Sequence, residues 1–288
     1  MTHDPPQPAE SVAVEVALSG PDWQLRTTMS VPTGPTRLRH LLPLVQSFTD
    51  AVVGAAVRVA EAQGRTVSCQ KGCGACCRQL VPISEAEAYH IGELVERLPE
   101  PRRLDIQDRF AEAHRRLEAA GLLEALLHPE QWTEGQGQPF GLQYFRQGIP
   151  CPFLEQESCS IYADRPLACR EYLVTSPAEH CASPTAATVQ CVELPFKVWT
   201  AVARFDPVPA SGRFIRWVPL ILAPAWAQAH RDEPAPRPGP TVLRELFDHL
   251  THTKAAPIQP MHLLCDQDAG SACAQGDSNT GETPYGSS

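Results

Sequence analysis

The stretch Cys69-Gln70-Lys71-Gly72-Cys73-Gly74-Ala75-Cys76-Cys77, a C-x3-C-x2-C-C run, decides how this chain is read. A second block answers it: Cys151-Pro152-Phe153-Leu154, then Cys159-Ser160-Ile161-Tyr162-Ala163-Asp164-Arg165-Pro166-Leu167-Ala168-Cys169-Arg170, with Cys181 and Cys191 following. Nine of the 11 cysteines therefore fall between 69 and 191. Gly72 and Gly74 allow tight or left-handed turns, so several thiolates can converge and amide N–H groups can face sulfur. Lys71 and Arg78 beside the first block, and Arg165 and Arg170 in the second, offset the charge of assembled thiolates and lower their pKa values. Pro166 fits the first turn of a short helix capped by Asp164, which places Cys169 and Arg170 on that helix. Arg165 and Arg170 are accordingly the candidates for contacting a bound cofactor from behind its ligands.

Ligand arithmetic narrows the chemistry. A structural zinc takes four donors, and nine clustered cysteines exceed one tetrahedral set by five. Either two sites exist or the centre is a polynuclear iron–sulfur cluster, for which close C-x2-C spacings with a remote further cysteine are familiar. Adjacent Cys76 and Cys77 point in different directions, so they serve different metals, or one ligates while the other stands behind it. Cysteines that were only small buried hydrophobes need not cluster or sit beside glycine. A disulfide framework is disfavoured by the odd cysteine total and by a start, Met1-Thr2-His3-Asp4-Pro5-Pro6, that lacks a secretory pattern.

Working outward, the 288-residue chain is 43% hydrophobic, enough for a sizeable core, and its 29 prolines announce many loops. A net charge of −9 gives no overall positive field toward nucleic acid or anionic membrane. The apolar run Val218 to Ala227 is broken by Pro219 and Pro224 and falls short of the roughly 20 residues that span a bilayer. The expectations are a cytoplasmic protein with no nucleic-acid and no membrane partner, whose partner is a metal ion or cluster.

Along the chain, Val12 to Leu18 alternates with period two and Trp23 to Val31 returns after Gly20-Pro21, a small hairpin. Val45, Phe48, Val52, Ala56 and Val59 mark a helix between Arg37 and Gly64, with Pro43 at its start or as a kink. Ser84 and Glu87 form a capping box before a helix through Ile91, Leu94, Val95 and Leu98 that ends by Pro99. Another helix runs from about Pro101 to Gly121, resuming toward His128, and folding these helices back as a hairpin would unite the cysteine blocks. Residues 129 to 150 read as a loop. Leu194 to Phe205 reads as a helix, Arg213 to Leu222 as a strand or buried segment, Ala225 to His230 as helical, 231 to 240 as an extended linker, and Val242 to Leu250 as a short amphipathic helix.

The expected fold class is mainly α: a small helical domain around an irregular cysteine-rich metal site, with a short N-terminal β-hairpin and a disordered C-terminal tail. Its expected divisions are 1–64, the hairpin and helix; 65–192, the cysteine-cluster domain; 193–230, a helix and strand extension; 231–265, a linker and short helix; and 266–288, the tail. Scattered histidines are weaker candidates. His180 precedes Cys181 but reads better as a loop residue, and His249 and His252 as a solvated helix end. Cys265 and Cys273 read as free thiols near the tail. The basic and aromatic run Arg213 to Trp217 reads as a half-buried strand.

The order Cys69-x3-Cys73-x2-Cys76-Cys77, Cys151-Pro-Phe-Leu, Cys159-Ser-Ile-Tyr, Arg165-Pro166 and Cys169-Arg170 resembles the YkgJ-type cysteine cluster family, over roughly residues 65 to 192. The resemblance implies a small, mainly helical, zinc- or iron-chelating domain. It implies Cys69, Cys73, Cys76, Cys77, Cys151, Cys159 and Cys169 as metal ligands, with Cys181 and Cys191 as weaker carry-overs. That family includes flagellin lysine N-methylase, associated with an iron–sulfur cluster and S-adenosylmethionine, but no methylase signature stands outside the cysteine blocks. A radical S-adenosylmethionine enzyme is disfavoured because the segments after Cys77 read as helices and no Gly-Gly-Glu element follows. The leading expectation is a metal-binding protein holding an iron–sulfur cluster, or else zinc, with redox or cluster-dependent chemistry. A lysine methylase and a zinc-stabilised interaction module are the alternatives.

Overall fold

A computed structural model describes residues 10–133, 135–185, 187–205 and 216–252. The expected disordered tail, Cys265 and Cys273, and most of the Arg213 to Trp217 run lie outside the described residues. The described residues are mostly helical, 53%. Its chain opens with β1 (Ser11–Ser19) and β2 (Gln24–Pro32), antiparallel in the register Ser11↔Pro32 to Ser19↔Gln24. One face of this hairpin points inward through Val16, Leu25, Met29 and Val31, as period-two alternation requires.

A two-residue strand, β3 (Pro35–Thr36), leads into α1 (Leu38–Ala62). Gln63 caps this helix and Gly64 leaves it at φ 77°, while the Arg65 amide reaches back to the Ala60 carbonyl at 2.9 Å. By length and hydropathy alone α1 could cross a membrane. Here its apolar stripe is used inside the protein: Leu41, Leu42, Val45, Phe48 and Val52 are at most 2% exposed.

After the first cysteine block come β4 (Pro82–Ile83), α2 (Glu85–Glu96) and α3 (Glu100–Ala119), then the short α4 (Leu123–Leu127). The capping box is present: Ser84 Oγ accepts from the Glu87 amide at 3.2 Å, and Glu87 Oε2 accepts from the Ser84 amide at 2.9 Å. Residues 129 to 150 depart from expectation, because a helix, α5 (Gly137–Arg146), forms within them. Its Gly- and Gln-rich start hides the signal. Packing supplies the stability instead, through fully buried Tyr144 and through Phe140 against Trp132, ring centroids 4.6 Å apart.

The second block contains the hairpin β5 (Leu154–Glu155) and β6 (Ser158–Cys159), then α6 (Leu167–Glu171). Beyond it α7 (Val198–Arg204) is shorter than the expected 194–205 helix, and β7 (Val218–Pro219) pairs with β4. The chain continues with α8 (Ala223–Ala229), β8 (Arg237–Pro238) paired with β3, and α9 (Gly239–His252). The proline-rich segment before α9 is extended yet tied down. Arg39 pairs with Glu233 at 2.6 Å and Arg37 Nε donates to the Pro234 carbonyl at 3.3 Å.

Two apolar clusters form the interior. The larger joins the β1–β2 hairpin, α1, α7 and α9 through residues such as Val31, Leu42, Trp199 and Leu246. The smaller joins α2, α3, β7 and the second cysteine block through Ile91, Ile106, Phe153 and Val218. Cys69 and Cys76 pack against the first cluster, Cys151 and Cys159 against the second. The cysteines thus lie where the two clusters meet.

Candidate metal centre

The first block is a turn that ends in one turn of 3-10 helix, Ala75–Arg78, with the Cys77 amide bonded to the Gly74 carbonyl at 3.0 Å. Gly72 sits at φ 93°, the left-handed conformation its lack of a side chain permits. Gly74 serves differently. Its φ is an ordinary −98°, but a Cβ there would stand 2.8 Å from Leu154 Cδ1 and 2.9 Å from the Glu157 carbonyl oxygen. Its smallness lets the β5–β6 turn press against the first block.

Two links hold the blocks together, and a third set of contacts ties the second block to α3. The Cys151 amide donates to the Cys77 carbonyl at 2.7 Å. Arg78 grips the Glu157 carboxylate with both terminal nitrogens, at 2.7 and 3.0 Å. Glu155, on the other strand end, is bound by Arg102 and Arg109 of α3, and Phe153 meets Phe110 of α3 with centroids 5.5 Å apart. Gln156 and Glu157 make the hairpin turn at φ 48° and 57°, a strained left-handed pair without glycine that these contacts hold in place.

Eight cysteines, Cys69, Cys73, Cys76, Cys77, Cys151, Cys159, Cys169 and Cys181, line one cavity of about 110 Å³. All eight are free thiols. The α2–α3 hairpin has united the two blocks as the chain pattern implied. Cys191 does not join them. It is disulfide-bonded, 6% exposed and bridged by its backbone to Val174, outside the cavity lining, because this segment is pinned as a short ladder beside residues 173–175. Among the described residues, no three His, Cys, Asp or Glu side chains converge as a ready-made site for a single metal ion.

Burial dominates the electrostatics. It pushes the Cys151 thiol up to about 12 and the Cys181 thiol up to about 11, and it raises Cys69, Cys159 and Cys169 as well. Cys76 and Cys77 share a hydrogen bond that raises Cys76 and lowers Cys77, and the Arg78 guanidinium helps Cys77 further. Cys77 is therefore the thiol of that pair to ionise first. The Val174 amide donates to Cys69 Sγ at 3.3 Å, which works against the rise there.

The two arginines named from sequence part company. Arg165 lines the cavity, its guanidinium Cζ 4.3 Å from the Tyr162 ring centroid. Arg170 turns away. Its Nη1 grips both Asp50 oxygens of α1 at 2.7 and 2.9 Å, its Nε donates to the Arg165 carbonyl at 3.0 Å, and Nη2 donates to the Ala163 carbonyl. Arg170 therefore braces the loop that presents Arg165 and does not itself wall the cavity. The expected Asp164 cap of α6 is also absent: Pro166 is the N-cap, and Glu87 of α2 takes the role by accepting from the Leu167 amide at 2.8 Å. A buried carboxylate 80 residues away in the chain outcompetes a local one because its second oxygen is already fixed by the capping box.

Sequence reading passed over Tyr172 and Glu157. Tyr172 accepts from Gln79 Nε2 at 3.1 Å and hydrogen-bonds Cys181, yet a lone tyrosine after Cys169-Arg170 carries no spacing signal. His180 follows the bland expectation, its Nδ1 bonded to the Thr188 carbonyl at 2.8 Å and its ring outside the cavity lining.

The donor set suits a thiophilic metal: soft sulfur ligands select zinc, copper(I) and iron–sulfur clusters. Arg165 Nε, buried with no hydrogen-bond partner, is a donor left over for an anionic group beside it. No curated protein and no solved structure matches the chain. A family model, CxxCxxCC, described as "Putative zinc- or iron-chelating domain", matches residues 68–191, less than half of the chain but the whole span from the first cysteine block to Cys191. Residues 68–191 are thus a domain of the CxxCxxCC cysteine-cluster family.

Proposed function

We propose that the cysteine cavity holds an iron–sulfur cluster and that the protein uses it for electron transfer. The observation that carries this reading is the convergence of eight free thiols on one small cavity. That is twice the donor set of a structural zinc. A single tetrahedral ion also needs its ligands gathered close, whereas the described residues offer no such trio. In a polynuclear centre the thiolates are shared among several metal atoms, so wider spacing suits it. When bound, the cluster would supply a one-electron carrier. Cys69, Cys73, Cys76, Cys77, Cys151, Cys159, Cys169 and Cys181 are the residues from which we draw its ligands. The cavity volume of about 110 Å³ is well below the roughly 300–1,000 Å³ of organic ligand pockets, which favours electron transfer over group transfer from a co-substrate lodged there.

The test is metal analysis with a visible absorption spectrum on anaerobically purified protein, alongside Cys151→Ser and Cys169→Ser. Iron with acid-labile sulfide and a broad visible band is expected, and both substitutions should reduce iron content. A colourless protein with stoichiometric zinc would overturn the cluster in favour of a zinc-stabilised module. Unchanged metal in both variants would overturn the ligand assignment.

A further inference from the structure

Arg165 poses a problem that the thiols alone do not solve. Its Nε is buried at the cavity wall with no hydrogen-bond partner, and a buried guanidinium N–H left unmatched is costly. The neighbouring Arg170 shows what this fold does with an arginine it only needs structurally: Nε and both terminal nitrogens are committed to Asp50 and to two carbonyls. Arg165 instead faces the cysteines. Its guanidinium stands over the ring of Tyr162, which is 40% exposed and so marks the solvent side of the cavity, and Lys71 Nζ stands 6.0 Å from the same ring centroid. The Arg165 guanidinium favours the thiolate forms of Cys69, Cys77, Cys159 and Cys169, members of both blocks, against a burial that opposes ionisation at all four and prevails at all but Cys77.

We infer that Arg165 donates its buried Nε–H to a sulfur of the bound centre, and that Tyr162 positions the guanidinium for this by stacking on it at the cavity mouth. The inference rests on the reading that a cluster occupies the cavity. The acceptor is a thiolate or a bridging sulfide, either of which gains negative charge on reduction. A hydrogen bond and a positive charge placed there favour the reduced form and so raise the midpoint potential. Arg165 and Tyr162 are positioning residues; the thiolates remain the ligands.

The experiment uses the full chain, reconstituted anaerobically with ferrous iron and sulfide, as wild type, Arg165→Gln, Arg165→Lys, Tyr162→Phe and Tyr162→Ala. Iron per chain, midpoint potential and resistance to a chelator are read for each. Arg165→Gln is expected to move the potential to more negative values and to weaken iron retention about tenfold, with Arg165→Lys recovering part of both. Tyr162→Phe keeps the ring and should match wild type, while Tyr162→Ala should move toward Arg165→Gln. Wild-type potential and retention in both Arg165→Gln and Tyr162→Ala would overturn the inference. Should Arg165→Gln fail to fold, Tyr162→Ala, at an exposed side chain, decides. If wild type takes up no iron, it is the cluster reading that falls, and the two failures are thereby distinguished.

Discussion

At the residue scale the most unusual group outside the cavity is Glu171. Its Oε1 accepts from the amides of Val198 at 2.6 Å and Trp199 at 3.1 Å, so it caps α7 from α6, while Oε2 has no partner. Burial pushes this carboxyl up to about 8, against the two amides that lower it. The folded protein thus holds a proton at neutral pH that the unfolded chain releases. Because the folded pKa lies above the unfolded one, the contribution is fully present below about 4.5 and is lost as pH rises through about 8. Its size is on the order of a few kcal/mol. Glu171→Gln keeps the carbonyl acceptor for both amides and cannot ionise. Thermal melts between pH 5 and 9 should therefore show wild type losing stability with rising pH while the variant stays flatter and overtakes it near pH 8. Parallel curves would reject the account. Legibility at this scale was mixed: the cysteines announced themselves by clustering, whereas Glu171 and Tyr172 owe their roles to partners 27 and 93 residues away that no local spacing connects.

At the element scale the decisive object is the contact between the first cysteine block and the β5–β6 hairpin. Sequence reading took Gly74 for a turn residue, yet the structure uses it as a missing side chain under Leu154 and Glu157. Gly74→Ala would force a Cβ into backbone as well as side chain. Overpacking of this kind costs about 1–3 kcal/mol, and here the strain falls on the junction between Cys77 and Cys151. Chemical denaturation should register the loss, and metal content after reconstitution should fall with it; a variant that binds metal as wild type would show the junction to be pliable. Glu87 is a second such object. It closes the capping box of α2 with one oxygen and caps α6 with the other, so Glu87→Ala removes three hydrogen bonds and leaves the Leu167 and Ser84 amides buried and unmatched. The expected cost is about 2–4 kcal/mol, read as a shift in denaturation midpoint at constant slope. The box itself was legible because Ser84 and Glu87 are three residues apart. Its reach to α6 was not, for it spans 80 residues.

At the scale of the whole molecule, two kinds of cohesion divide the work. The larger apolar cluster runs from Val16 in β1 to Leu246 in α9 and holds the hairpin, α1, α7 and α9 together with side chains alone. That assembly was largely legible, since period-two and helical spacing of apolar residues mark its parts, with α5 missed because its helix depends on Trp132 and Tyr144 packing and not on its own propensity. The cysteine cavity lies where this cluster meets the smaller one, and there packing is replaced by thiols that burial keeps protonated in the absence of metal. Metal binding must displace those protons, so apparent affinity should rise with pH. Removing metal should then act unevenly. Chelation is expected to leave far-UV circular dichroism nearly intact, because α1, α7 and α9 need no metal, while amide hydrogen exchange quickens in residues 69–79 and 151–160, whose ties across the seam are few. Loss of most helical signal on chelation would contradict this division and would mean that the metal, not the apolar core, holds the two clusters together.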